Sequence, residues 1–275
     1  MTAKKTIEDI ILQHSSRGMD VLRRYLSEDY CERAARDILS WPRGTVLLTT
    51  GFYVSGCAET DGPTGTVTLA HALEQLGFHP VIVTDPICRG LFECERLETV
   101  YMQPEDGEEF CRRLLDERRP VGLIAVERCG ENTCGDYANM HGVSIRAHTA
   151  PVDILFELAR GTIPTVGIGD GGNEIGMGCL KRQIRRELKR TPCRVPVDHL
   201  IVATVSNWGA YGLTACLARQ SGRALLPSAG AVEAYLRRTV AMGSVDGFTG
   251  KPAVLVDGFP LNVELSILQE LAEAV

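Results

Sequence analysis

Gly167-Ile168-Gly169-Asp170-Gly171-Gly172-Asn173-Glu174-Ile175-Gly176-Met177-Gly178 decides how this chain is read. Six glycines in twelve residues let the backbone turn tightly and approach a ligand closely. Thr165-Val166-Gly167-Ile168 before it reads as a short buried strand, and Leu180 to Arg190 after it as a polar, basic helix. The stretch is therefore a strand–loop–helix junction that presents Asp170, Asn173 and Glu174 on a bed of glycine. It also spells Gly167-x-Gly169-x-x-Gly172, the dinucleotide fingerprint. Asp170 and Glu174 argue against that use, because they place negative charge where a pyrophosphate must sit. Carboxylates in this position suit a cation, an ammonium group or proton transfer.

Working outward, the same alternation recurs. Toward the N-terminus, apolar runs at Val46–Phe52, Pro80–Asp85, Thr99–Met102 and Val121–Glu127 read as strands. Helical spacing falls between them at Thr64–Leu76, Leu91–Leu97 and Gly107–Arg118, and Gly77 is a good stop for the first. Toward the C-terminus, a strand at Leu200–Val205 precedes a helix at Tyr211–Gln220. A helix near Val232–Met242, a strand at Ala253–Val256 and a closing helix from Asn262 follow. Strands buried on both faces and alternating with helices predict an α/β fold. We expect a mostly parallel sheet flanked by helices, in a Rossmann-like three-layer sandwich. Residues 1–44 read as a helical lead-in, one interrupted helix over Thr6–Leu26 and another over Asp29–Ser40, packed on a single α/β domain of residues 45–275.

Composition excludes several classes. Of 275 residues 44% are hydrophobic and 23% charged, as in ordinary globular enzymes, and the net charge of −6 disfavours nucleic acid or an anionic membrane as partner. The ten cysteines are scattered with no Cys-x-x-Cys pair, which argues against a zinc ribbon or a thioredoxin-like centre. Reduced thiols, a polar Met1–Asp9 without an apolar core, and no run long enough to span a bilayer point to a cytoplasmic protein. No nucleophile elbow, His-Glu-x-x-His helix or Walker loop occurs.

In open α/β sheets ligands bind beyond the carboxyl ends of the strands, so the residues that follow each strand form the candidate site. They are Glu59 and Asp61, then Asp85, then Glu127 and Arg128 with Asn139, then Asp170, Asn173 and Glu174, and finally Ser206 and Asn207. Each has a structural alternative. Glu59 or Asp61 suits the cap of the helix at Thr64, and Ser206-Asn207 the cap of the helix at Tyr211. Asp246-Gly247 and Asp257-Gly258 read as turns. His141 and His148, beside the cleft loop, are further acid–base candidates.

Glu59-Thr60-Asp61-Gly62-Pro63, Glu127-Arg128-x-Gly130, the long glycine stretch and Ser206-Asn207-Trp208-Gly209-x-Tyr211-Gly212 together resemble the D-glutamate cyclase family from about Gly51 onward. The resemblance implies an α/β fold and cyclodehydration of D-glutamate to 5-oxo-D-proline with loss of water. It also admits a divalent-metal-dependent phosphatase on the same carboxylates. A small-molecule or nucleotide sensor is the non-enzyme alternative. The chain departs from the family pattern at Cys134-Gly135-Asp136-Tyr137-Ala138-Asn139-Met140-His141, where a thiol and an imidazole replace an expected carboxylate and arginine. Under this reading Asp170, Glu174 and Glu127 are the proton-transfer candidates. Arg128, Asn139, Asn173, Ser206 and Asn207 would hold substrate. Mg²⁺ or Mn²⁺ would sit on Glu59, Asp61, Asp170 and Glu174, with no organic cofactor. The expected partner is a small amino acid, with a homo-oligomer left open.

Overall fold

The computed structural model of the protein describes residues 5–275, so the first four positions of the polar N-terminal stretch lie outside it. Helices α1 (Ile7–Ile11), α2 (Met19–Arg23) and α3 (Tyr30–Ser40) precede strand β1 (Thr45–Thr49). A small hairpin, β2 (Tyr53–Val54) and β3 (Cys57–Ala58), leads into α4 (Pro63–Gln75) and β4 (His79–Thr84). Next come β5 (Glu98–Tyr101), α5 (Glu108–Arg118), β6 (Gly122–Val126), α6 (Asp153–Ala159) and β7 (Thr165–Gly169). The short α7 (Lys181–Gln183), β8 (His199–Val202), α8 (Ser206–Ser221) and α9 (Ala229–Ala241) follow. A second hairpin, β9 (Leu255–Val256) and β10 (Phe259–Pro260), precedes α10 (Leu261–Ala274).

Six strands form one parallel sheet in the order β5-β4-β1-β6-β7-β8. Counting sheet strands alone, this is the 3-2-1-4-5-6 order of doubly wound folds, whose ligand crevice opens where the winding reverses, here between β1 and β6. The apolar runs are buried for the reason their composition suggests. Leu48, paired with Ile82 and Ile124, lies in the middle of the sheet with helices on both sides. Helices α4 and α8 pack on each other over one face, α3 lies against α8 and β8, and α5 and α6 pair in the third layer. Helix α8 is buried from Ser206 to Ala218, which explains why its sequence lacks a polar face.

The N-terminal helices are built into this body. Tyr30 donates its hydroxyl to Val202 O at 2.7 Å, Thr204 N donates to Ile11 O at 2.9 Å, and Ile11, Met19 and Leu22 are fully buried. Three expected elements differ from the sequence reading, and one helix is additional to it. The helix over Leu91–Leu97 is a single 3₁₀ turn at Glu93–Glu95, because Gly90 and Arg96 flank it with positive φ. The basic helix after the glycine stretch is one α-turn that widens into a π-turn at Ile184–Leu188 and stops at Lys189, φ 55°. Helix α6 is the additional element; it is seven residues long and has no side-chain cap. The last predicted strand stays outside the main sheet. Asp257 and Gly258 take φ of 52° and 79°, which turns it straight back on Phe259-Pro260 as a two-residue hairpin.

Candidate active site

The glycine stretch folds back over its own strand. A side chain at Gly167 would place a Cβ 2.5 Å from the carbonyl oxygen of Ile175, and Gly172 has φ 104°, so both positions require glycine. The return lets Glu174 close the loop on itself, its Oε1 and Oε2 accepting from the backbone N–H of Gly171 (2.7 Å) and Gly172 (2.8 Å). Asp170, the first residue beyond β7, is left facing a cavity of about 370 Å³. Arg17, Glu59, Glu127, Asp170, Glu174 and Asp257 give the cavity its charge, Asn139, Asn173 and His141 add polar edges, and Phe52, Tyr53 and Phe248 form an apolar rim.

Of the ten site residues expected from sequence, Glu59, Glu127, Asn139, Asp170, Asn173 and Glu174 line this cavity. The other four do not. Asp61 and Asn207 cap each other's helices. Asp61 accepts from Ser206 N (2.9 Å) and Asn207 N (2.8 Å) at the start of α8, while Asn207 Oδ1 accepts from Gly62 N (2.9 Å) and Gly65 N (2.8 Å) at the start of α4. Capping was the right physical role, but crossed between two segments 145 positions apart. It also starts α8 at Ser206 rather than at Tyr211. Ser206 Oγ donates to Glu127 Oε2 at 2.5 Å and so orients a cavity carboxyl from behind.

Arg128, expected to hold substrate, is wholly buried away from the cavity. It grips Asp85 with both terminal nitrogens, and donates to Gly51 O (2.9 Å) and Ala150 O (2.7 Å). Its fork is spent on tying three loops together. His148 stacks on Tyr53, ring centroids 4.2 Å apart, and does not line the cavity. Of the two departures in the variable loop, His141 lines the cavity and Cys134 is exposed elsewhere.

Sequence reasoning missed Arg17 and the role of Asp257. Arg17, from the α1–α2 connection, bridges Asp170 Oδ1 and Asp257 Oδ1 at 2.8 Å each. Asp257 was legible as a turn residue, and its carboxylate points into the cavity as well. Nothing local marked Arg17.

Burial dominates the electrostatics. It pushes the carboxyls of Glu59, Glu127 and Asp170 well above their usual range, helped in each case by neighbouring carboxylates. Arg17 pulls the other way on Asp170. Burial likewise raises Asp61 and Glu174, against the backbone N–H groups that favour their charged forms. Arg17 is held firmly protonated by Asp170 and Asp257 despite its own burial. Glu127 has φ 46°, a strained value for a residue with a side chain and one that concentrates at working sites. Oε1 of Glu59 and Oδ2 of Asp170 and Asp257 are buried without any hydrogen-bond partner. One oxygen from each of Asp61, Glu127 and Asp170 lies within 4.8 Å of the others. Such a site is short of positive charge. It can bind a cation, hold an ammonium group or keep protons on its carboxyls near neutral pH.

A buried acidic crevice at the switch point of a doubly wound sheet makes this an α/β protein with a ligand-sized cavity. The family model of D-glutamate cyclase-like C-terminal domains matches residues 7–272, and the chain belongs to that family. It is 33% identical over 230 residues to the human protein "D-glutamate cyclase, mitochondrial". That alignment covers 74% of this chain and 36% of the human one, so the chain spans about a third of that relative's length.

Proposed function

We propose that the protein is a D-glutamate cyclase-like hydro-lyase that converts D-glutamate to 5-oxo-D-proline and water. The observation that carries this reading is the set of buried, partnerless carboxylate oxygens on Glu59 and Asp170 facing a ligand-sized cavity. They suit a substrate whose ammonium must be held and then deprotonated. Asp170 accepts a proton from the amine. Glu127, whose carboxyl burial pushes well above its usual range, gives a proton to the γ-carboxylate and makes it an electrophile. The nitrogen attacks the γ-carbon, the N–C bond forms and the C–O bond to the departing hydroxyl breaks. Two protons leave the nitrogen and two arrive on the departing oxygen, so both carboxyls finish as they began. Holding the chain folded makes the ring closure intramolecular, which supplies much of the rate.

The oxygens of Asp61, Glu127 and Asp170 also fit a hard divalent ion such as Mg²⁺ or Mn²⁺, with Glu59 beside them and Glu174 closing the loop. When bound, such an ion supplies Lewis acidity toward a carboxyl or phosphoryl oxygen. That fit is what favours the second reading, a metal-dependent phosphomonoesterase. All ten cysteines are unpaired and, among the described residues, no helix is long and apolar enough to cross a membrane. We propose a cytoplasmic enzyme acting on a small amino acid, for which the free thiols suit a reducing compartment. Incubation with D- and L-glutamate followed by assay of 5-oxoproline tests the proposal. Product from the D-isomer is expected; phosphate release from phosphomonoesters only with Mn²⁺, and no 5-oxoproline, selects the second reading.

A further inference from the structure

We infer that Arg17 reads the α-carboxylate of the substrate and thereby sets specificity for amino acids over their amides. This rests on the cyclase reading. The charge inventory of the cavity requires such a group. Glu59, Glu127, Asp170, Glu174 and Asp257 all line it, yet the proposed substrate carries two carboxylates of its own. Arg17 is the one arginine or lysine among the described residues that line the cavity. Asp170 takes one N–H of its five-donor fork and Asp257 pairs with the other terminal nitrogen, each at 2.8 Å, and they hold the fork from two sides. Its side chain is 16% exposed and Asp170 is 1% exposed, and both line the cavity. A planar fork with free N–H groups in a fixed orientation is the geometry that carboxylates take in preference to a point charge. The same bridge leaves Asp170 Oδ2 without a partner, so one residue pair presents a donor for the carboxylate beside an acceptor for the ammonium. An α-amino acid carries these two groups on one carbon. The γ-carboxyl is then left for Glu127.

The rigid position of Arg17 is supported from its own segment. Gly18, φ 88°, starts α2, and a Cβ there would lie 2.3 Å from Leu188 Cδ2, which locks the α1–α2 connection against the turn that follows the glycine stretch.

The test compares D-glutamate with D-isoglutamine, its α-amide, which keeps the amine and the γ-carboxyl but lacks the α-carboxylate. The parent should prefer D-glutamate by about 10- to 100-fold in kcat/KM, the range for losing a hydrogen bond to a charged group. In Arg17→Gln that preference should shrink to within about 3-fold, mainly through a raised KM for D-glutamate. Arg17→Lys keeps the charge without the fork and should fall between the two, and it carries the test if Arg17→Gln does not fold. An Arg17→Gln or Arg17→Lys variant that keeps the parent's full preference, with kcat lowered equally on both compounds, overturns the inference and makes Arg17 a charge balance for Asp170. A parent that makes neither 5-oxoproline from D-glutamate nor 5-oxoprolinamide from D-isoglutamine refutes the cyclase reading, and the role of Arg17 with it. An active parent with an unaltered variant preference refutes the role of Arg17 alone.

Discussion

Two arginines paired with buried aspartates, Arg128 wholly buried and Arg17 partly exposed, stand at the carboxyl edge of the same sheet and do opposite things. Arg128 is sealed away from the cavity, with both terminal nitrogens on Asp85 and on the carbonyls of Gly51 and Ala150 and its Nε alone left without a partner, and Ala150 N returns a bond to Asp85 Oδ1 at 2.6 Å. Arg17 meets two aspartates that each keep one oxygen unsatisfied beside a cavity. Pairing with a buried aspartate is common to both, so it does not mark a working site. Incomplete satisfaction next to open space does, since buried polar groups are otherwise hydrogen-bonded.

The comparison is broken most directly at Asp170. Asp170→Asn should lower 5-oxoproline formation by about 10²–10⁴-fold, because the amide takes no proton. Its melting temperature should stay at or above the parent's, since one of several clustered carboxylates is neutralised and Arg17 retains Asp257. A parent-like rate in steady-state assays would make the loop a packing device.

Arg128 predicts the reverse. Arg128→Met should cost about 3–5 kcal/mol in urea unfolding by stranding Asp85, while the folded fraction keeps the parent's KM. A variant with parental stability and a raised KM would return Arg128 to the substrate.

A third buried polar cluster sharpens the contrast, because it uses no cation. Glu264 receives the indole N–H of Trp208 and the Tyr211 hydroxyl, and burial pushes its carboxyl up to about 7. The folded form then binds more protons than the unfolded one between about pH 4.5 and 7. Stability should fall as pH rises through that window, by about 3 kcal/mol for this group, and level off above it. Glu264→Gln should remove that slope from melting curves taken across pH. The smallest effect belongs to the crossed caps. Asp61 accepts with both oxygens, and the amide of Asp61→Asn would set its NH₂ against a backbone N–H, so that variant should cost about 1–3 kcal/mol by denaturant unfolding. A large loss of Mn²⁺ binding in calorimetry would instead assign Asp61 to an ion.

The sequence made the sheet, its parallel sense and the acidic edge readable, because each strand was a short apolar run followed by polar residues, as at Val126-Glu127 and Gly169-Asp170. It did not separate Arg128 from Arg17. Arg128 follows a strand and looked exposed to ligand, but its partner Asp85 ends a different strand and consumes it. Asp61 and Asn207 read as caps, and only the fold could cross them. Arg17 sits in a polar loop with no periodicity, and its meaning comes from residues brought to it by the topology.

The ion triad also says when the cavity can become competent as the chain folds. Asp170 lies 153 positions beyond Arg17, and Asp257 comes from a hairpin later still. Contacts of such separation form late, after the loop entropy between them has been overcome. Until the β9–β10 hairpin docks, the carboxylates of the crevice face one another with their neutralising guanidinium held from one side alone. Refolding should therefore show secondary structure returning before ligand binding, with the hairpin's arrival as the step that separates them.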